Sequence, residues 1–209
     1  MINRLQRLRE QVAREAAMLL YSGQEKEYKQ AKEKAARILG ARILPSNLEV
    51  AKELDAIAEQ NEGQLRRERL IQMRKDALRV MGILQDFHPR LIGSVWRGTA
   101  HKNSDIDIVV FSDNSETVLK KLKENGLKIT RIERYPALKQ HDSKTLHIYI
   151  ILPSGNEGEV VVRSLEEANS FEKCEIYGDA ITGLDFYQLK KVLEENPAKR
   201  FIPFSDKET

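Results

Sequence analysis

Apolar residues recur at three- and four-residue steps through the first 88 positions. Leu5, Leu8, Val12, Ala16 and Leu19 make one such stripe, which predicts a helix that Ser22-Gly23 stops. Tyr28, Ala31, Ala35 and Ile38 share a face of a second helix, ended by Gly40. Pro45-Ser46-Asn47 opens a third, in which Ser46 and Glu49 have the spacing of a capping box and Val50, Leu54, Ile57 and Ala58 form the apolar face. Glu62-Gly63 breaks it. A fourth and longest helix spans residues 64–85, with Leu70, Met73, Ala77, Val80 or Met81, and Leu84 inward; Arg66, Arg67, Arg74 and Lys75 fall largely off that stripe. Four helices with short connections read as a small bundle or helical cap.

The period changes at His88-Pro89, where proline should hold His88 extended and end the helix. Beyond it, residues 91–93 read as a short strand, 106–111 as a β-branched strand, 115–125 as a helix closed by Gly126, and 127–135 as a strand. Residues 146–152 form an apolar strand, 153–156 a turn, 159–163 a returning strand and 184–195 a terminal helix stopped near Pro197. The last five residues, 205–209, read as a frayed tail. The expectation is α+β: an all-α region over 1–88, then a domain over 89–209 built on a small mixed sheet with flanking helices.

Charge adds one asymmetry. Residues 1–88 carry 17 basic and 13 acidic side chains, whereas 89–209 carry 18 and 19, so the helical region is the better surface for a polyanion. A single cysteine, Cys174, excludes an internal disulfide framework or a cysteine-based zinc site, and fits a reduced, cytoplasmic setting. No secretory h-region opens the chain and no apolar run reaches the roughly 20 residues of a membrane helix, so no membrane partner is expected.

The chemistry concentrates in residues 91–111, LIGSVWRGTAHKNSDIDIVVF. Gly93-Ser94 after a short strand permits a tight turn and close backbone approach to a ligand, and a following helical turn would offer unpaired N–H groups to phosphate. Asp105 and Asp107, two apart at the start of a strand, project to one side with Ile106 behind them. Paired carboxylates repel and resist burial, and a divalent cation relieves both. Oxygen ligands of this kind suit Mg2+.

Gly-Ser, ten residues, then Asp-hydrophobic-Asp resembles the signature of the DNA polymerase β-type nucleotidyltransferase superfamily. The run from Gly93 to Thr99 with Ser104-Asp105-Ile106-Asp107 looks like the archaeal CCA-adding enzymes and the small prokaryotic nucleotidyltransferases. The resemblance implies the nucleotidyltransferase fold and transfer of a nucleoside monophosphate from an NTP, with ATP expected, to an acceptor hydroxyl on RNA, protein or a small molecule. It assigns Gly93 and Ser94 to the triphosphate, with Arg97 as a phosphate contact. Two Mg2+ ions go to Asp105, Asp107 and a third carboxylate that also activates the acceptor. Glu159, ahead of three valines, is the candidate for that position, with Glu157 and Asp142 behind it. The alternative is a module that keeps the fold to bind a nucleotide or RNA without catalysis.

The remaining candidates carry less. His88, His101, His141 and His147 are scattered, so zinc is not expected. His147, Tyr149 and Ile151 share a strand face and read as sheet surface or pocket wall. Trp96 reads as packing against the helical region, and Lys139 and His141 as loop residues near acceptor or triphosphate. The arginines of the fourth helix offer contacts to RNA phosphates.

Overall fold

The computed structural model describes residues 4–135 and 145–203; Lys139, His141, Asp142 and the tail 205–209 lie outside them. The chain divides into two units. The first holds residues 1–67 with the short segments 101–103 and 174–179; the second holds 68–100, 104–173 and 180–209. Most of the fourth helix shares its core with the sheet: Leu70, Met73, Ala77, Val80, Met81 and Leu84 are buried in one cluster with strand residues.

In the first unit, α1 (Arg4–Tyr21), α2 (Tyr28–Ile38) and α3 (Asn47–Glu62) enclose a core of Val12, Ala16, Leu19, Ala31, Ala35, Val50, Leu54 and Ile57. Small residues at Ala13, Ala16, Ala31 and Ala35 let these helices approach closely. The capping box expected at Ser46 and Glu49 is present. Burial alone would raise the Glu49 carboxyl, but hydrogen bonds from Arg9 and Ser46 outweigh it and hold it at about 2. A carboxyl so depressed stabilises the folded state fully above its ordinary value of 4.5, and that contribution disappears as pH falls through about 2. Glu49→Gln is therefore expected to lower stability at neutral pH and to flatten the loss of stability on acidification between these values, as read by urea melts across the range.

In the second unit, α4 (Gln64–Ile83) leads through a 3-10 turn over Gln85–Phe87 into β1 (Arg90–Ile92), α5 (Gly93–Arg97), β2 (Ile106–Phe111), α6 (Ser115–Glu124), β3 (Lys128–Tyr135), β4 (Thr145–Ile151), β5 (Glu157–Arg163) and α7 (Phe186–Glu195). The sheet order is β1-β2-β5-β4-β3, antiparallel except for the β2–β5 pair. One face is apolar. Leu91, Ile106, Ile108, Val110, Val160, Val162, Leu146, Ile148 and Ile150 pack there with α4, α6 and α7. The opposite face carries Asp107, Glu159, His147, Tyr149, Arg131 and Glu133, because alternate residues of paired strands share a side.

Two expectations are corrected. His88 is not extended but left-handed, φ 50° and ψ 54°, because it closes the 3-10 turn by donating its N–H to Gln85 O. The arginines of α4 are not all a surface for polyanions. Arg66 is buried on Asp55 and Glu59, and Arg74 is wholly buried; only Arg67 and Lys75 of the four basic positions are exposed. A guanidinium can be buried when enough oxygen acceptors surround it. For Arg74 they are the carbonyls of Val95, Trp96, Pro197 and Lys199, at 2.7–3.1 Å. Trp96 is also buried, in the core that α4 shares. Sequence periodicity foretold neither the 3-10 segment Leu165–Asn169 nor the irregular chain from there to α7.

Candidate functional site

Asp107 occupies the first turn of β2 in the pleat, and its Cα partner on the parallel neighbour β5 is Glu159. Residues paired in this way present their side chains to the same face. Asp105 lies one residue before β2 and is exposed. The three carboxylates feel one another. Burial first, then the negative charges of Asp105 and Glu159, push the Asp107 carboxyl well above the usual carboxylate range. A bound cation would relieve this penalty, which marks Asp107 as a candidate functional residue.

On its other flank Asp107 pairs with Ile92 of β1, which brings its carboxylate under Gly93. Gly93 has φ 70°, and a Cβ built there would collide with the Asp107 carboxyl group. Both the backbone conformation and the close approach demand glycine. Gly93→Ala should destabilise the fold by about 1–2 kcal/mol from the left-handed backbone alone, and should also displace Asp107. A lowered Tm together with impaired transfer is the expected result; wild-type behaviour in both would mean the turn does not constrain the acid.

Ser94 is half-buried in α5, and its hydroxyl has no hydrogen-bond partner among the described residues. It is therefore available to a ligand beside Asp107. Arg97 is not. It is 5% exposed, stacks on Trp96 at 4.0 Å and donates to Phe201 O at 2.9 Å. The last residue of α5 thus turns inward and ties down the chain after α7.

Glu159 is half-buried, and its Oε1 lies 2.7 Å from His147 Nδ1. Tyr149, its Cα partner on β4, is the other neighbour. Burial, then hydrogen bonding to Glu159 and Glu133, raises the Tyr149 hydroxyl strongly. Glu157, the first alternative for a third carboxylate, is exposed at the start of β5. Among the described residues no three His, Cys, Asp or Glu side chains converge closely enough to hold one ion. The Asp105–Asp107 pair nonetheless has the donor chemistry for a divalent cation: oxygen ligands only, mutual repulsion, and a carboxylate resisting burial. Sequence reasoning missed the His147–Glu159 couple. The alternation along β4 placed His147 on the right face, but only the register of β4 on β5 puts it beside Glu159.

Asp76 supports the site from behind. Buried on α4, it accepts hydrogen bonds from Ser154 at 2.6 Å and Asn156 at 2.7 Å, fixing the turn that leads into β5. No helix among the described residues is long and apolar enough to cross a membrane.

The family model for the nucleotidyltransferase domain matches residues 84–168, which contain the Gly-Ser turn, both aspartates and Glu159. Among solved structures, the chain is similar to one described as the structural basis for the activity of a cytoplasmic RNA terminal U-transferase. Identity is 17% and the TM-score 0.34, over 53% of this chain and 35% of that one. It is also similar to Cid1 in complex with the UTP analog UMPNPP, at 15% identity and TM-score 0.36, over 56% of this chain and 37% of that one. The chain thus spans little more than a third of either, and likeness this distant says nothing of substrate. No curated protein matches the sequence. Residues 84–168, with the Gly-Ser turn, both aspartates and Glu159, are thus similar to the nucleotidyltransferase domain family.

Proposed function

We propose that the chain is a Mg2+-dependent enzyme that transfers a nucleoside monophosphate from an NTP to an acceptor hydroxyl. The observation that carries this reading is the placement of Asp107 opposite Glu159, with Asp105 close enough to raise its pKa and Gly93 packed on its carboxylate. Phosphoryl transfer asks a protein mainly for positioning and for neutralisation of charge, and the residues divide those tasks. The backbone at Gly93-Ser94, with the free Ser94 hydroxyl, holds the triphosphate. Glu159 takes the proton from the acceptor hydroxyl. That oxygen attacks the α-phosphorus, the α–β anhydride bond breaks, and pyrophosphate leaves. The Asp105–Asp107 pair would hold magnesium, which when bound would supply charge stabilisation to the attacking and leaving oxygens; Glu159 is the third acid beside it.

The acceptor is an RNA, protein or small-molecule hydroxyl in this proposal, and ATP is the expected nucleotide. The test is direct. The protein is incubated with Mg2+, each of the four NTPs labelled at the α-phosphate in turn, and total RNA or total protein. Label should enter one macromolecular fraction with release of pyrophosphate, and the four nucleotides should be ranked by rate. Absence of pyrophosphate release with every nucleotide, alongside retained NTP binding, would instead identify a binding module that keeps the fold.

A further inference from the structure

We propose that His147 is a positioning residue for the Glu159 carboxylate, a role that rests on the reading of Glu159 as the third acid. The two side chains project from neighbouring antiparallel strands, β4 and β5, onto the same face as Asp107. An ionised carboxylate only accepts, so the 2.7 Å contact requires a proton on His147 Nδ1. The ring is itself held. Tyr135 meets it edge-on, with centroids 4.7 Å apart and planes at 71°. The Tyr135 hydroxyl donates to Glu133 at 2.6 Å, and the Tyr149 hydroxyl donates to the same carboxylate at 3.2 Å.

These groups form an array on the sheet face: Glu159 to His147, His147 against Tyr135, and Tyr135 with Tyr149 to Glu133. Glutamate has one more rotatable bond than aspartate, so at this position it needs more restraint to deliver an oxygen reproducibly. The array provides that restraint from β3 and β4, and it engages Oε1 through His147. Partners of this kind, hydrogen-bonded to an acting carboxylate without touching substrate, typically account for 10–100-fold in activity.

The experiment measures kcat and KM for His147→Leu, His147→Asn, Glu159→Gln and the His147→Leu/Glu159→Gln double variant, with 15N NMR of the imidazole in the full chain. His147→Leu should lower kcat by about 10–100-fold without changing the KM for NTP. His147→Asn, whose Nδ2 donates from near the place of Nδ1, should recover most of the loss. In the Glu159→Gln background the leucine substitution should add nothing. NMR should show His147 protonated at Nδ1 in the wild type and shifted toward the Nε2–H form in Glu159→Gln, a readout independent of turnover and of how well the leucine variant folds. A wild-type Nε2–H tautomer, or normal kcat in His147→Leu when Glu159→Gln is impaired, overturns the positioning role alone. Full activity in Glu159→Gln overturns the third-acid assignment and this role with it.

Discussion

Asp107→Asn is expected to reduce nucleotidyl transfer by about 10³-fold or more, the scale on which removal of one well-placed electrostatic group acts, while making the metal-free protein more stable. The two effects have one cause. In the folded chain the Asp107 carboxylate is opposed by burial and by the charges of Asp105 and Glu159, and its pKa is raised accordingly. For an acid with a raised pKa, the folded state favours the protonated form. Stability is therefore lost as pH rises above the ordinary carboxylate value, because the unfolded chain releases this proton while the folded chain still holds it. Asparagine keeps the shape and removes the charge, so this pH-dependent loss should vanish. Relief of about 1 kcal/mol would raise Tm by about 2–4 °C for a chain of this length. The same substitution should abolish any rise in Tm on adding Mg2+. Asp105→Asn should repeat the loss of activity with a smaller stability gain, since that side chain is exposed. A variant with full transfer, or one destabilised at neutral pH without metal, would refute the assignment of Asp107 to a charge-compensated site.

The largest effect on stability is expected at a residue with no part in the chemistry. Arg74 is completely buried and donates to four backbone carbonyls, those of Val95 and Trp96 in α5 and of Pro197 and Lys199 after α7. Burial draws its pKa down to about 10, still far enough above neutrality to keep the guanidinium charged. Arg74→Ala would leave four acceptors in a dry interior and a cavity beside Trp96. Each buried acceptor left unsatisfied costs about 1–3 kcal/mol, so the loss is a large part of a typical domain's stability. Lysine cannot substitute, because one ammonium lacks the planar fork that reaches carbonyls in two segments. Both variants should unfold at markedly lower urea concentration, with Arg74→Lys only partly better. If Arg74→Ala melted like the wild type, the carbonyls would have to be satisfied by water, and the interior would be wetter than this packing allows.

These two residues show how differently information is distributed along the chain. Asp107 was legible: its spacing from Asp105 and from Gly93-Ser94 is local, and local spacing fixes which way side chains project from a strand or a turn. Helix boundaries were legible for the same reason. Ser46 with Glu49, Gly40, Gly63 and Gly126 terminate helices through contacts within a few residues. Arg74 was not legible. On a helical wheel it is one charged residue among several, and its four acceptors lie 21 to 125 residues away. Arg97 shows the complementary case: it stands beside the Gly-Ser turn in sequence, yet its partner Phe201 lies 104 residues on and draws it inward. His88 departed from its expected extended form because closure of a 3-10 turn outweighed the preference set by the following proline.

The sequence by itself determined the α+β character, the strand and helix identities, and the Gly-Ser and Asp-x-Asp elements of the candidate site, all of which depend on neighbours within about ten residues. Tertiary structure decided what depends on pairing distant segments. The parallel register of β5 on β2 sets Glu159 opposite Asp107, and the antiparallel register of β4 on β5 brings His147 to Glu159. The fourth helix shares a core with the sheet rather than only with the helices before it. A strand's alternation tells which residues share a face, but not which strand comes to lie beside it. That choice belongs to the burial of the whole apolar face, and no local pattern encodes it.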